Sequence, residues 1–135
     1  MAAFVTMLIV DMRIIMVDSV NYQVVKVGND MIARVWRGWT EHANANAYEQ
    51  VFRTIVIPEL EAVAGCRDAY LLRREAADEV EFLVMTMFES LSAIKDFAGQ
   101  NYEIAVISSE AKQVLKRFDE RAAHYELVIA RNVSG

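Results

Sequence analysis

The sequence is poor in the residues that most cofactor and metal chemistry requires. Of its 135 residues one is cysteine, one proline, two histidine and five glycine. The lone Cys66 excludes an internal disulfide, and with no CxxC or Cys/His cluster there is no zinc-ligand spacing. A reducing compartment and an inert thiol are the simple expectation. The glycines never form GxGxxG or GxxxxGK, so no phosphate loop is present. There is no serine elbow either, and no cofactor is expected. Basic runs are also missing: 14 Lys and Arg stand against 19 Asp and Glu, a formal charge of −5. Nucleic acid and anionic membranes are therefore poor partners. No apolar run reaches the roughly 20 residues of a membrane helix. Ala2–Val10 is apolar, but it lacks a basic start and stops at Asp11, which argues against a signal peptide. A cytoplasmic protein is expected.

What the chain has is core-forming material. Hydrophobic residues make up 55% and charged residues 24%, enough for one domain with a solvated surface. Residues 31–135 read as one continuous domain and residues 1–30 as an extension. In the extension, strand-like runs Met12–Val17 and Tyr22–Val27 flank an Asp18-Ser19 turn and stop at Gly28-Asn29-Asp30. Two readings fit equally: a hairpin that docks on the domain or a partner, or a passive leader before Met31.

From Met31 the pattern is clearer. Ile32–Trp39 alternates as a strand, and Thr40 and Asn44 can start a helix carrying Tyr48, Val51, Phe52 and Ile55. Pro58 is expected to break or kink that helix before Gly65. Cys66–Glu75 and Glu79–Glu89 form a hairpin around Ala76-Ala77-Asp78. Ser90 caps a second helix that ends at Gly99, and 101–107 is partly extended. Ser109 and Glu110 open a third helix with the stripe Ala111, Val114, Leu115 and Phe118, and Arg121–Ile129 is a last strand.

Strand, helix, strand, strand, helix, strand is the split βαβ order of an α+β, ferredoxin-like fold with an antiparallel sheet. Helices cover one face of such a sheet. Yet in Glu79–Glu89 both faces are apolar: Val80, Phe82, Val84, Thr86 and Phe88 on one, Leu83, Met85 and Met87 on the other. An open apolar face asks for a partner, and a second copy packed sheet to sheet supplies it. A homodimer through the sheet face is expected.

The stretches Met31–Gly38, Ala69–Arg74, Phe82–Phe97 and the ending His124–Val128 resemble the antibiotic biosynthesis monooxygenase-like superfamily over roughly residues 31–129. That resemblance implies a dimeric α/β barrel with a pocket between the sheet and helices of each subunit. It also implies cofactor-free oxygenation of aromatic or polyketide-like substrates, with a non-catalytic ligand-binding dimer as the alternative. Heme-degrading relatives carry an Asn on the first strand, a Trp ending the third and a His on the following helix. Matching places Val35 and Phe88 at the first two, and no histidine lies between Ser90 and Ile107, so heme degradation is not expected.

Among polar candidates, His124 could be a general base or a hydrogen-bond donor to a phenolic oxygen. The favoured reading is structural, bonding across the dimer interface. Arg34, Arg37, Arg73 and Arg74 lie on strands and could clamp a carboxylate or enolate, but for Arg34, Arg73 and Arg74 the favoured expectation is pairing with acids across strands. Arg37 is the exception, because Val35, Arg37 and Trp39 are assigned to the helix side, where a pocket would lie. Trp39, Tyr48, Phe52, Thr86, Phe88 and Phe97 are the candidate walls of a pocket for a small aromatic ligand. The seven methionines suit adaptable packing at the dimer face.

Overall fold

The structure, a computed structural model, describes residues 12–16, 22–26 and 28–133, with side chains described from residue 31. Near the start, β1 (Met12–Met16) and β2 (Tyr22–Lys26) pair antiparallel, Met12 with Lys26 and Met16 with Tyr22. The two form a two-stranded sheet of their own, with no ladder to the main sheet among the described residues; the Asp18-Ser19 turn expected between them lies outside the described residues.

The main sheet is built on β3 (Gly28–Thr40). Gly28–Asp30, read from sequence as a turn, belongs to this strand, with a register irregularity before Ile32. On one side β3 pairs with β5 (Val80–Phe88), which pairs in turn with β4 (Cys66–Glu75). On the other it meets the short β6 (Arg117–Phe118) and β7 (Ala123–Leu127). Every pairing is antiparallel, so β3 and β4 run the same way with β5 between them, which is the split βαβ arrangement.

Register sets the two faces. Ile32, Arg34, Trp36, Gly38 and Thr40 stand opposite Phe88, Thr86, Val84, Phe82 and Val80. Val80, Phe82 and Phe88 are fully buried, so this is the helix-covered face. Leu83, Met85 and Met87 point the other way and stay half-buried, beside exposed Tyr70, Leu72 and Tyr125. The face division of β5 follows its alternation. That of β3 does not match expectation: Val35, Arg37 and Trp39 lie on the open face, because the pairing of Trp36 with Val84 puts Trp36 inward.

The first helical segment passes through Pro58 instead of breaking there. α1 (Ala45–Val51) runs into a π turn (Phe52–Val56) and on into α2 (Ile57–Glu61). The Ile57 N–H reaches back five residues to the Phe52 carbonyl. The wider turn gives room for the proline ring, which would otherwise press on the carbonyl four residues before it. α3 (Leu91–Ala98) is capped by Ser90, whose Oγ accepts from the Ala93 N–H at 3.0 Å. It stops at Gly99, where φ of +90° suits only glycine. α4 (Ser109–Val114) is capped by Ser108, not Ser109, and ends before Leu115 turns extended. Phe118 therefore sits in β6 opposite Gly38, outside the helix whose stripe it was expected to extend. Among the described residues no helix is long and apolar enough to cross a membrane.

Candidate active site

Among the described side chains, the inner face of β3 carries one charge, Arg34, between Ile32 and Trp36. Its side chain is buried, with the residue 5% exposed. Thr86 on β5 and His124 on β7 are its cross-strand partners. The chain from Tyr102 to Ile104 crosses over it. Nη1 donates to the Tyr102 carbonyl and contacts His124 Nε2 at 2.9 Å, and Nη2 donates to the Ile104 carbonyl at 3.2 Å. The guanidinium also lies 5.7 Å from the centre of the Phe97 ring. Burial lowers its pKa to about 10, which leaves it a cation at neutral pH. Among the described residues no carboxylate forms an ion pair with it. In place of the expected cross-strand acid, backbone carbonyls are its partners among the described residues.

A guanidinium only donates, so His124 Nε2 must accept. His124 is therefore a neutral imidazole with its proton on Nδ1. Burial, and then the neighbouring Arg34 charge, hold its pKa below the ordinary value, while Glu103 opposes them. The ring meets Tyr102 edge-on at 5.1 Å. The partner of its Nε2, Arg34, is in its own chain.

A proton on His124 costs more in the folded protein than in the unfolded chain. The unfolded chain therefore takes up more protons below the ordinary value of 6.5. The stability gained from the neutral ring is complete above that pH and is lost as pH falls through the lower folded value. On acidification from about pH 7.5 to about pH 5, the protein should lose more melting temperature than His124→Gln, which keeps an acceptor for Arg34 but does not titrate. Equal losses in thermal melts of the two would disprove this linkage.

In front of Arg34 is a cavity of about 50 Å³. Trp36 and Thr86 form its floor with Arg34; Tyr48 and Leu60 wall it from the helical segment, and Phe97 from α3. Ile107, Ser108 and Ala111 close the far side, and the exposed Glu59 stands at the rim. Trp36 is held by its Nε1–H, which donates to the Asp119 carbonyl at 2.7 Å. Gly38 makes that pose possible, since a Cβ there would come within 2.5 Å of the indole. Tyr48 lies between Trp36 and Phe82, at centroid distances of 6.4 and 4.9 Å. Burial pushes its phenol well above the ordinary value, so it is protonated at any working pH and cannot act as a base.

Of the residues singled out from sequence, Tyr48, Thr86 and Phe97 line this cavity. Phe52 and Phe88 are buried core residues outside its lining, with Phe88 against Phe97 at 5.9 Å. His124 touches the site only through Arg34. Arg37 and Trp39 lie on the opposite face: Arg37 Nε bonds Asp119 at 3.0 Å, and Trp39 is flanked by Arg37 and Arg117 at 5.2 and 3.9 Å. Val35 faces away as well, so the β3 residues presented to the cavity are Arg34 and Trp36, neither of them the Asn of the heme-degrading pattern. Neither was placed in the pocket from sequence. Their signal was the Ile32-x-Arg34-x-Trp36 alternation, passed over because the Val35, Arg37 and Trp39 face of β3 was assigned to the helix side and Arg34 to pairing with acids. Arg73 and Arg74 do pair with acids, Arg73 with Glu49 and Glu75, and Arg74 with Glu81. Burial, with the Asp68 charge, pushes the Cys66 thiol up and leaves it unreactive. Among the described residues no three His, Cys, Asp or Glu side chains are grouped to hold a metal ion.

The fold is that of a ferredoxin-like α+β protein, with a cavity between its sheet and helices. The chain belongs to the antibiotic biosynthesis monooxygenase family, whose sequence model matches residues 31–102. Among solved structures it resembles a putative antibiotic biosynthesis monooxygenase from Bacillus cereus, at 18% identity and TM-score 0.57, covering 78% of this chain and 100% of that one. A protein from Shewanella oneidensis matches at 17% identity and TM-score 0.57, covering 78% and 98%. SnoaB from Streptomyces nogalater, described as a cofactor-independent oxygenase, matches at 14% identity and TM-score 0.51, covering 78% and 99%. At such identities these likenesses establish the fold. No curated protein matches the sequence.

Proposed function

We propose that the protein is a cofactor-independent monooxygenase of aromatic, polyketide-like substrates that works as a homodimer joined through the open sheet face. The observation that carries this reading is Arg34, a buried cation reaching from the sheet into a cavity walled by Trp36, Tyr48 and Phe97. Apolar walls with one convergent charge suit a flat ring bearing an acidic oxygen. Bound beside Arg34, a phenol or enol would ionise more readily, since the guanidinium stabilises the oxyanion where water is scarce. The electron-rich anion then reduces O2. One oxygen atom becomes a new ring carbonyl, and the other leaves as water with the two hydrogens the substrate loses. The substrate, oxidised to a quinone, supplies all four electrons, and no co-reductant is needed. Thr86 and the aromatic walls hold the ring, and His124 positions Arg34 from behind. The cavity as it stands has room for a few waters, so a polycyclic substrate must displace part of the wall.

The second reading, a ligand-binding dimer without catalysis, is favoured by the absence of any base among the described lining residues except the rim carboxylate Glu59. Incubating chelator-treated protein with a panel of polyphenolic aromatics under 18O2 separates the two. One labelled oxygen in the product, at a rate the chelator does not change, is the expected result. Tight binding across the panel with no O2 uptake would leave the binding reading in its place.

A further inference from the structure

We propose that Arg34 is an anion-recognition residue and that the cavity selects aromatic ligands carrying a carboxylate or similar monoanionic group over their neutral counterparts. The inference rests on the reading of this cavity as the ligand site and adds the charge of the ligand.

A guanidinium has five N–H donors. Three are engaged: two on Nη1, by the Tyr102 carbonyl and His124, and one on Nη2, by the Ile104 carbonyl. The Nε–H and the second Nη2–H have no partner among the described residues. Donors on neighbouring nitrogens are what a two-pronged grip on a carboxylate requires. Arg34 is 95% buried by its 5% exposure, and it lines the cavity. Carbonyls, an uncharged imidazole and a ring face offset part of its desolvation, but none carries a counter-charge. An incoming anion would supply one, whereas an uncharged amide would not.

The surroundings narrow the ligand further. Trp36, Tyr48 and Phe97 call for a ring next to the anionic group. Glu59 at the rim is solvent-exposed and makes no ion pair with Arg34, so it does not neutralise the site, and it disfavours a second negative charge at the entrance. His124 contributes geometry. Its Nε2 occupies an Nη1 donor that would otherwise compete for the ligand, which leaves the Nε and Nη2 donors for it.

The test is a matched pair of probes, benzoate and benzamide, of nearly equal size and shape but different charge. Titrations of the full chain by calorimetry and by NMR at neutral pH should give benzoate at least about tenfold tighter, a difference of about 1.4 kcal/mol. Added salt should weaken it little, because a buried pair is poorly screened while a surface lysine contact is not. In Arg34→Gln the preference should fall to about unity, and Arg34→Lys should keep only part of it. Benzamide binding as well as benzoate, a preference that survives in Arg34→Gln, or binding of neither at millimolar concentration would each overturn the proposal. The wild-type comparison decides it even if a variant fails to fold. Selective benzoate binding with no O2 uptake on any aromatic would sink the oxygenase reading and leave this one standing. Oxygenation of neutral aromatics without the charge preference would do the reverse.

Discussion

Met85→Glu is expected to convert the protein from a dimer to a monomer at micromolar concentration. Met85 stands at the middle of the open face, with Tyr70 opposite it on β4 and Val35 opposite it on β3. Leu72 at 49% and Tyr125 at 60% exposure extend the same apolar surface toward both edges of the sheet. A patch of this composition on an isolated subunit would be unusual, and in the proposed dimer a two-fold partner would cover it with its own copy. A stable interface of this kind buries at least about 1,000 Å². A carboxylate at its centre would lose its water, and Arg37 on the same face is already engaged by Asp119, so the change costs several kcal/mol and is felt twice in a symmetric pair. Sedimentation should therefore show the mass falling from twice the 15.3 kDa chain to the chain itself, with an unchanged circular dichroism spectrum. If the unmutated protein already sediments as a monomer, the sheet-face dimer is wrong.

The largest loss of stability is expected from Phe82→Ala. Phe82 is fully buried on the inner face of β5, opposite Gly38, with its ring 4.9 Å from that of Tyr48. Neither neighbour can fill the void: Gly38 has no side chain, and Tyr48 is packed against Trp36. Truncation should cost about 3–5 kcal/mol, from lost burial and from the cavity left behind. For a domain of this size that corresponds to a fall in Tm on the order of 10–20 °C. Calorimetry that finds a loss below about 1 kcal/mol would mean that the ring does not carry the packing described for it. Because Phe82 backs Tyr48, the variant should also loosen the wall of the cavity.

The elements that could be read from sequence were those whose pattern is local. β5 alternates cleanly, and Phe82 and Met85 fall on the faces their spacing implies. Ser90 lies three residues before an N–H it can cap, and the structure uses it. The misreadings came from interactions distant in the chain. Arg34 was expected to pair with acids across strands, but its acceptors are the carbonyls of Tyr102 and Ile104, 68 and 70 residues away. No side-chain code announces a carbonyl. Assigning Val35, Arg37 and Trp39 to the helix side put β3 one residue out of phase, which moved Arg37 and Trp39 into the expected pocket and Arg34 and Trp36 out of it. Tyr48, Thr86 and Phe97 were found because helix spacing and the phase of β5 fixed them independently of β3.

The π turn at Phe52–Val56 makes the helical segment two helices joined with a slip in phase, equivalent to one residue inserted into a regular α-helix. Tyr48 is aimed by the first helix, while Glu59 and Leu60 are aimed by the second. The back wall and the mouth of the cavity are therefore indexed separately. Adding or removing a single residue in the turn would rotate the mouth residues by roughly 100° about the helix axis and leave Tyr48 where it is. Chain length at that point acts as a control on the shape of the entrance, independent of the sheet that carries Arg34.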